Sequence, residues 1–307
     1  MTSVLETEPE APQVPAVDAS SEFSPEHITI IEPRSGWRII NVRELYAYRD
    51  LYRFLTWRSI KVRYAQSAVG IGWAILQPAF QIAMFSLVFG RLAQIDSDGV
   101  PYAAFSLATI IAWTYFSNAL TAATESLVGN ANMISKVYFP RIILPLSAAS
   151  AALFDFAIAF TFAFVVLLLF GFVPNAGIII LPLLIALMFT TAFGIGMWTT
   201  ALAIQYRDVK HAMTFLVQLA MYASPVIYPA SKLPETYTLP GGLVIWPQTI
   251  YAINPMVGVL EGFRSALLGT REMPYGWIAI GIVSATLITL SGMVYFRSRE
   301  KLFADVA

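Results

Sequence analysis

The sequence predicts an all-α polytopic membrane protein with six transmembrane helices, an N-terminal interfacial amphipathic helix and a re-entrant helical pair between spans five and six. Three observations predict it. Of 307 residues, 57% are hydrophobic and only 12% charged. The apolar residues gather into runs long enough to cross ~30 Å of hydrocarbon. The basic residues fall on alternate sides of those runs, as the positive-inside rule requires.

Residues 1–36 are rich in Glu, Pro, Ala and Ser and lack the apolar core of a signal peptide, so they read as a disordered cytoplasmic tail. Residues 37–67 contain RELYAYRDLYRFLTWRSIKVRYAQS, in which Leu45, Tyr48, Tyr52 and Leu55 recur at helical spacing among Arg and Lys. Such a helix is too charged to span and is expected to lie along a membrane surface. The transmembrane domain, 68–300, reads as spans near 70–92, 104–128, 143–171, 178–204, 212–228 and 275–296, followed by a short cytoplasmic tail, 301–307. Between spans five and six, residues 229–274 are apolar but broken by Pro247 and Pro255 and carry Glu261 and Arg264. Two short helices dipping back into the membrane fit that pattern.

With the amino terminus inside, the inner segments hold 15 of the 19 Lys and Arg residues, which fixes both termini in the cytoplasm. The formal net charge is zero, so the overall balance gives no support to nucleic-acid binding. With no cysteine and only His27 and His211, neither a disulfide nor a metal centre is expected. No GxxxxGK[ST] phosphate loop and no GxSxG elbow occurs, so any use of ATP would fall to a partner.

One polar insert stands out. NANMISKVYFPR, Asn130 to Arg141, lies on the inner side between spans two and three. Asn130 and Asn132 can cap, Met133 to Tyr138 can form about a turn and a half of helix, and Pro140 ends it. That helix would expose Met133, Ile134, Val137 and Tyr138. Two readings fit: a tight turn whose Lys136 and Arg141 anchor to lipid phosphates, or a docking knob for a soluble partner.

Several motifs together resemble the permease subunit of type 2 ABC exporters, in the branch that exports O-antigen, capsular polysaccharide or teichoic acid. They are KVYFPR with Pro145, YRDVKH at 206–211, SPVIYP at 224–229 and NPMVGVLEGFRSALL at 254–268. The resemblance covers about residues 41–300. It implies a bacterial cytoplasmic (inner) membrane complex of two permease copies and two ATP-binding subunits, with ATP and Mg bound by the partner and no cofactor on this chain. It also implies that Asn130, Asn132, Met133, Ile134, Lys136, Val137 and Tyr138 form a coupling helix seated in the ATPase. QYRDVKH is then a lesser cytoplasmic contact, or a cluster that pairs at the surface.

The remaining polar residues each carry two readings. Arg58, Lys61 and Arg63 place three cations near the start of span one, either to receive the diphosphate of a lipid-linked polysaccharide or to hold anionic membrane lipids. Trp73, Gln77 and Gln81, and likewise Thr214, Gln218 and Tyr222, recur every four residues on one helix face. The resemblance implies that spans one and five border the pore, and helix packing is the other reading. Asp155 is the one carboxylate deep in a span, 14 residues or about 20 Å of helix beyond Arg141. It supports a rival reading as a proton-coupled carrier, although no partner for it is evident in the sequence. Glu261 and Arg264 are i, i+3 on one helix and form either a structural pair or a gate at the outer exit. A drug or small-lipid exporter of the same superfamily is the other alternative.

Overall fold

In the computed structural model, residues 42–238, 244–300 and 303 are described. The expected N-terminal tail, the first residues of the surface helix and all of the C-terminal tail except Phe303 lie outside them. The elements in chain order are α1 (Val42–Ala47), α2 (Arg49–Tyr64), α3 (Trp73–Phe85), α4 (Tyr102–Glu125), α5 (Ala131–Ile134), α6 (Ile143–Leu169), α7 (Leu181–Gln205) and α8 (Val209–Tyr222). A two-stranded antiparallel ribbon follows, β1 (Tyr237–Thr238) and β2 (Val244–Ile245), with Tyr237 opposite Ile245. The chain ends with α9 (Pro247–Tyr251), α10 (Pro255–Leu268) and α11 (Tyr275–Arg299).

Among the described residues, five helical stretches are long and apolar enough to cross a membrane: Gly70–Leu92, Tyr102–Glu125, Ile143–Leu169, Ala176–Gln205 and Tyr275–Arg299. They correspond to spans one to four and six of the sequence reading. The region expected to supply span five instead forms α8, a helix of 14 residues. At 1.5 Å per residue that is about 21 Å, short of the hydrocarbon thickness. The cause is local: Pro225 and Pro229 have no N–H to continue a helix, and the chain leaves the helical path at Ala223.

Helix α4 is the axis of the bundle and packs against α6, α7, α10, α3 and α8. Its neighbour α10 is buried at every one of its 14 positions. A helix buried all round needs protein on every side, and α10 has α4, α7 and α11 around it. Asn254 starts α10 by accepting the Met256 N–H at 3.1 Å, Pro255 occupies the first turn, and Gly269 closes it in the left-handed conformation with φ of 66°. The GxxxG pair works here as a spacer. A Cβ on Gly258 would lie 2.9 Å from the Trp277 carbonyl oxygen, and one on Gly262 would lie 2.7 Å from Leu184.

Helices α7 and α11 make an equally close approach. A Cβ on Gly292 would come within 2.5 Å of the Gly194 carbonyl oxygen, so the two backbones nearly touch where these glycines meet.

The segment between α8 and β1 is the irregular part of the interior. Residues 224–227 are buried and non-helical, so their backbone groups need side-chain partners. Arg264 donates to the Pro225 carbonyl at 2.9 Å, Thr109 to Val226 at 3.1 Å and Tyr102 to Ile227 at 2.8 Å. The Glu261 carboxylate accepts the Ala230 N–H at 2.7 Å and pairs with Arg264, also at 2.7 Å. The two charged side chains are 6% and 1% exposed, and the guanidinium stacks 3.8 Å from the Phe105 ring centre.

At the N-terminal end of α4, the 93–101 loop is tied down by charge. Lys232 pairs with Asp96 at 2.7 Å, and Arg271 grips Asp98 with two hydrogen bonds of 3.0 and 3.1 Å. The hydrogen bond from Lys232 holds the Asp96 carboxyl below the usual carboxylate range.

Two outcomes follow for stability. Glu261→Ala leaves a buried guanidinium without its counter-ion, a change that costs about 3–5 kcal/mol. The unfolding midpoint and the yield of monodisperse protein in detergent should both fall, whereas Glu235→Ala at an exposed site should leave them unchanged. Gly292→Ala should cost about 1–3 kcal/mol by forcing α7 and α11 apart, and Gly276→Ala, which meets open space, should not. Equal midpoints for the two alanine variants would refute the close-approach account.

Candidate functional site

Two places gather the residues singled out by the sequence. The first is the polar insert at the C-terminal end of α4. After Leu127 the chain makes a tight turn over Val128–Asn130 and then the single helical turn α5. The helix therefore begins and ends earlier than the expected Met133–Tyr138. Asn130 is not a side-chain cap; its amide donates to the Ser126 carbonyl at 2.8 Å.

Ile134 is buried, which corrects the expectation that it is exposed, and Met133 is half-buried. Asn132 and Lys136 are exposed, as are Val137 at 57% and Tyr138 at 66%. The physical reason is a pair of anchors. Ile134 and Phe139 both dock into an apolar cluster with Leu55, Leu127, Ile143 and Phe296, so the chain between them arches outward. Pro140, which disfavours helix at Phe139, keeps that arch from winding further.

Helix α2 packs along α6 above this cluster. Leu55 is buried, and Leu45, Tyr48 and Tyr52 lean on the cluster, which is the face the periodicity marks as apolar. The other face carries Tyr46, Phe54, Trp57 and Val62, all exposed, with Arg49 over the Tyr46 ring and Lys61 over the Trp57 ring. Arg58 reaches toward the Asn130 side chain at 3.5 Å, and the Tyr48 hydroxyl toward the Tyr138 carbonyl at 3.5 Å.

The second place is a cavity of about 570 Å³, open on one side and lined by residues of α2, α3, α4, α6 and α8. Of the six residues expected to line a pore, Trp73, Gln77 and Thr214 border it. Gln81 lies outside that lining and donates to the Met221 sulfur at 3.7 Å. Gln218 and Tyr222 also lie outside it, exposed on α8. The sequence reading missed the richest wall: Thr114, Ser117, Asn118, Thr121 and Glu125 of α4 all face the cavity. Their spacing of three and four residues was the available signal.

Asp155 also lines the cavity, and its partners come from α2. Arg63 forms an ion pair with its carboxylate and the Tyr64 hydroxyl donates to it, while the Tyr64 ring meets Phe154 edge-on at 6.3 Å. Burial pushes the Tyr64 phenol up, so it stays protonated and remains a donor at neutral pH. Burial lowers Arg63 from the usual arginine value. All three cations near span one are exposed, and Arg63 is in addition paired with Asp155. Among the described residues, no cluster of three or more His, Cys, Asp or Glu side chains could hold a metal.

The arrangement is a polar, aromatic-edged cavity inside an apolar bundle, joined by one helix to an outward-arching segment that exposes two apolar side chains. Comparison with known proteins agrees with that character. Residues 50–268 match the model of the ABC-2 type transporter family. The chain is 25% identical over 266 residues to the O-antigen export system permease protein RfbA of Myxococcus xanthus, covering 86% of this chain and 98% of that one. It is 24% identical to the protein of the same name from Klebsiella pneumoniae, covering 84% and 95%. The polysialic acid transport protein KpsM of Escherichia coli is 22% identical, covering 80% and 91%. Since the family match takes in well over half of its length, this chain belongs to the ABC-2 type transporter family.

Proposed function

We propose that the protein is the membrane-spanning permease subunit of an ATP-driven exporter that moves lipid-linked polysaccharide across the cytoplasmic membrane. The carrying observation is that relatives named as O-antigen export permeases align with this chain over nearly their whole length. The family implies a separate ATP-binding subunit. In this reading two permease copies meet two ATP-binding subunits, ATP and Mg reside on the partner, and this chain breaks no bond itself.

The fifth span is then α8 together with the buried chain that follows it, and α9 and α10 form the re-entrant pair. Both termini are cytoplasmic, in keeping with the charge bias along the sequence. Residues 1–36 serve as a cytoplasmic tail and α2 as the interfacial helix, a role supported by its exposed rings and cations.

Mechanistically, the segment 130–138 seats Val137 and Tyr138 in the ATPase. Because Ile134 and Phe139 are rooted in the cluster that also holds Leu127, Ile143 and Leu55, a push on this segment reaches α4, α6 and α2 together. The exposed Arg58 and Lys61 receive the substrate's diphosphate. Trp73, Gln77, Thr214 and the α4 hydroxyls offer rings and hydrogen bonds to the sugars that follow. Gln81, Gln218 and Tyr222 join that path where a second copy meets α3 and α8. An outer gate carrying Glu261 and Arg264 would move as one body with the 225–230 loop they bind.

Proton-coupled transport is not favoured. Asp155 is held by Arg63 and Tyr64, so the sequence's unpartnered acid, on which that reading rested, is a paired one. Export of drugs or small lipids is likewise less well supported, because the relatives are named for polysaccharides.

Cells lacking this chain should accumulate lipid-linked glycan on the cytoplasmic side and lose it from the surface. Absence of any accumulation, measured by lipid extraction and glycan staining, would count decisively against the reading. Val137→Asp should weaken co-purification of the ATP-binding subunit by roughly tenfold to a hundredfold while leaving the unfolding midpoint unchanged. Wild-type affinity in that variant would remove the coupling role from this segment.

A further inference from the structure

Arg141 closes the polar insert, and the sequence offers it to lipid phosphates. The fold turns it inward instead. Its side chain is half-buried, and the guanidinium donates to the carbonyl of Glu300, one residue past the end of α11. The last carbonyls of a helix have no partner within it and carry its negative end, so a guanidinium is a fitting cap.

The same group has a second use. It lies 5.8 Å from the ring centre of Phe303, within the roughly 6 Å reach of a cation–π contact. That ring is fully buried, meets Phe296 of α11 edge-on at 5.0 Å, and belongs to the cluster that roots Ile134 and Phe139. A planar guanidinium can donate from its edge and cover a ring with its face at once, which a lysine ammonium cannot do.

The helix end that Arg141 holds is itself locked to α7. The Tyr295 ring stacks on Trp198 at 4.3 Å, and the Thr289 hydroxyl donates to the Thr190 carbonyl at 3.1 Å. With the close approach at Gly194 and Gly292, these contacts make α7 and α11 one unit. Arg141 therefore joins the C-terminal foot of the exposed arch to two long helices through a charged fastening, in addition to the apolar anchors.

We propose that Arg141 and Phe303 are positioning residues that fasten the polar insert to α11, so that motion delivered to the insert drives α7 and α11 along with the other helices rooted in the cluster. The proposal rests on the reading of segment 130–138 as the seat of the ATP-binding subunit.

The sequence has no cysteine, so a labelled pair can be introduced cleanly. Ser135→Cys on the insert and Ser298→Cys on α11 are both at exposed positions. Spin labels on them report the distance by double electron–electron resonance in the permease with its ATP-binding subunit in lipid nanodiscs. Labelled copies are diluted into an excess of unlabelled ones, so that each distance falls within one copy. Wild type should give one narrow distance that is the same with and without ATP. Arg141→Gln and Phe303→Ala should each broaden it and make it shift when ATP is added. Glycan exported per ATP hydrolysed should fall roughly twofold to thirtyfold in the same two variants. Arg299→Gln, which alters the same helix end through its contact with Tyr295 and not the insert, should match wild type in both measurements. Unfolding midpoints identify folded variants, and Arg141→Gln decides the matter if Phe303→Ala is not folded. A wild-type distance that shifts with ATP overturns the proposal, as do folded variants whose distance stays narrow in both states. Binding of the ATP-binding subunit to Val137→Asp is scored separately. Wild-type affinity there removes the partner's seat, whereas lost affinity with an unchanged distance in Arg141→Gln removes the fastening alone.

Discussion

The backbone from Ser224 to Pro229 runs through the interior as neither helix nor sheet, and local turns satisfy only some of its groups, such as the Val226 N–H that donates to the Ser224 carbonyl at 2.7 Å. Arg264 answers Pro225, Thr109 answers Val226, Tyr102 answers Ile227 and Glu261 answers Ala230. These four side chains come from α4 and α10, so satisfying one irregular segment joins the two most buried helices. A buried ion pair is seldom a net source of stability, because desolvation opposes attraction. Here its value is specific: a guanidinium can donate to a carbonyl and a carboxylate at once, which no apolar pair could do. The prolines that end α8 create the demand, and Glu261 with Arg264 meets it.

The opposite end of the bundle is built on the reverse principle. There the polar insert is held by apolar anchors, Ile134 and Phe139, in a cluster shared with α2, α6, α7 and α11 and with Leu127, two residues beyond α4. Close-packed side chains transmit displacement because they cannot compress. An arch pinned at both feet and pushed at its crown moves its foundations, whereas a loop held only by hydrogen bonds to water would bend alone. The shortness of α5 is therefore suited to force transmission.

Much of this was legible in the sequence and some was not. The long apolar runs gave five of the spans within a few residues, because length and hydropathy are local properties. The apolar face of α2 was legible for the same reason. Helix α8 came out shorter than its run, since hydropathy does not register that Pro225 ends the hydrogen-bond ladder. The α4 stripe from Thr114 to Glu125 escaped notice because threonine, serine and asparagine in a span also satisfy helix packing. Only the cavity decides between the two uses. Asp155 looked unpartnered because its partners, Arg63 and Tyr64, lie 92 and 91 residues earlier in the chain. Long-range pairing is invisible to periodicity. Ile134 was misplaced outward because the helical register was started two residues late.

The Asp155 contact has a consequence for how the two sites are related. Helix α2 carries exposed cations and rings on one face, apolar anchors on the other, and at its C-terminal end the pair that closes on α6 beside the cavity. Its Leu55 shares the cluster that roots α5. A displacement of the polar insert thus acts on the same helix that lines part of the cavity. A carboxyl group held by both a guanidinium and a phenol is fastened to α2 at two points. The chain therefore links the exposed polar insert to the cavity through one helix.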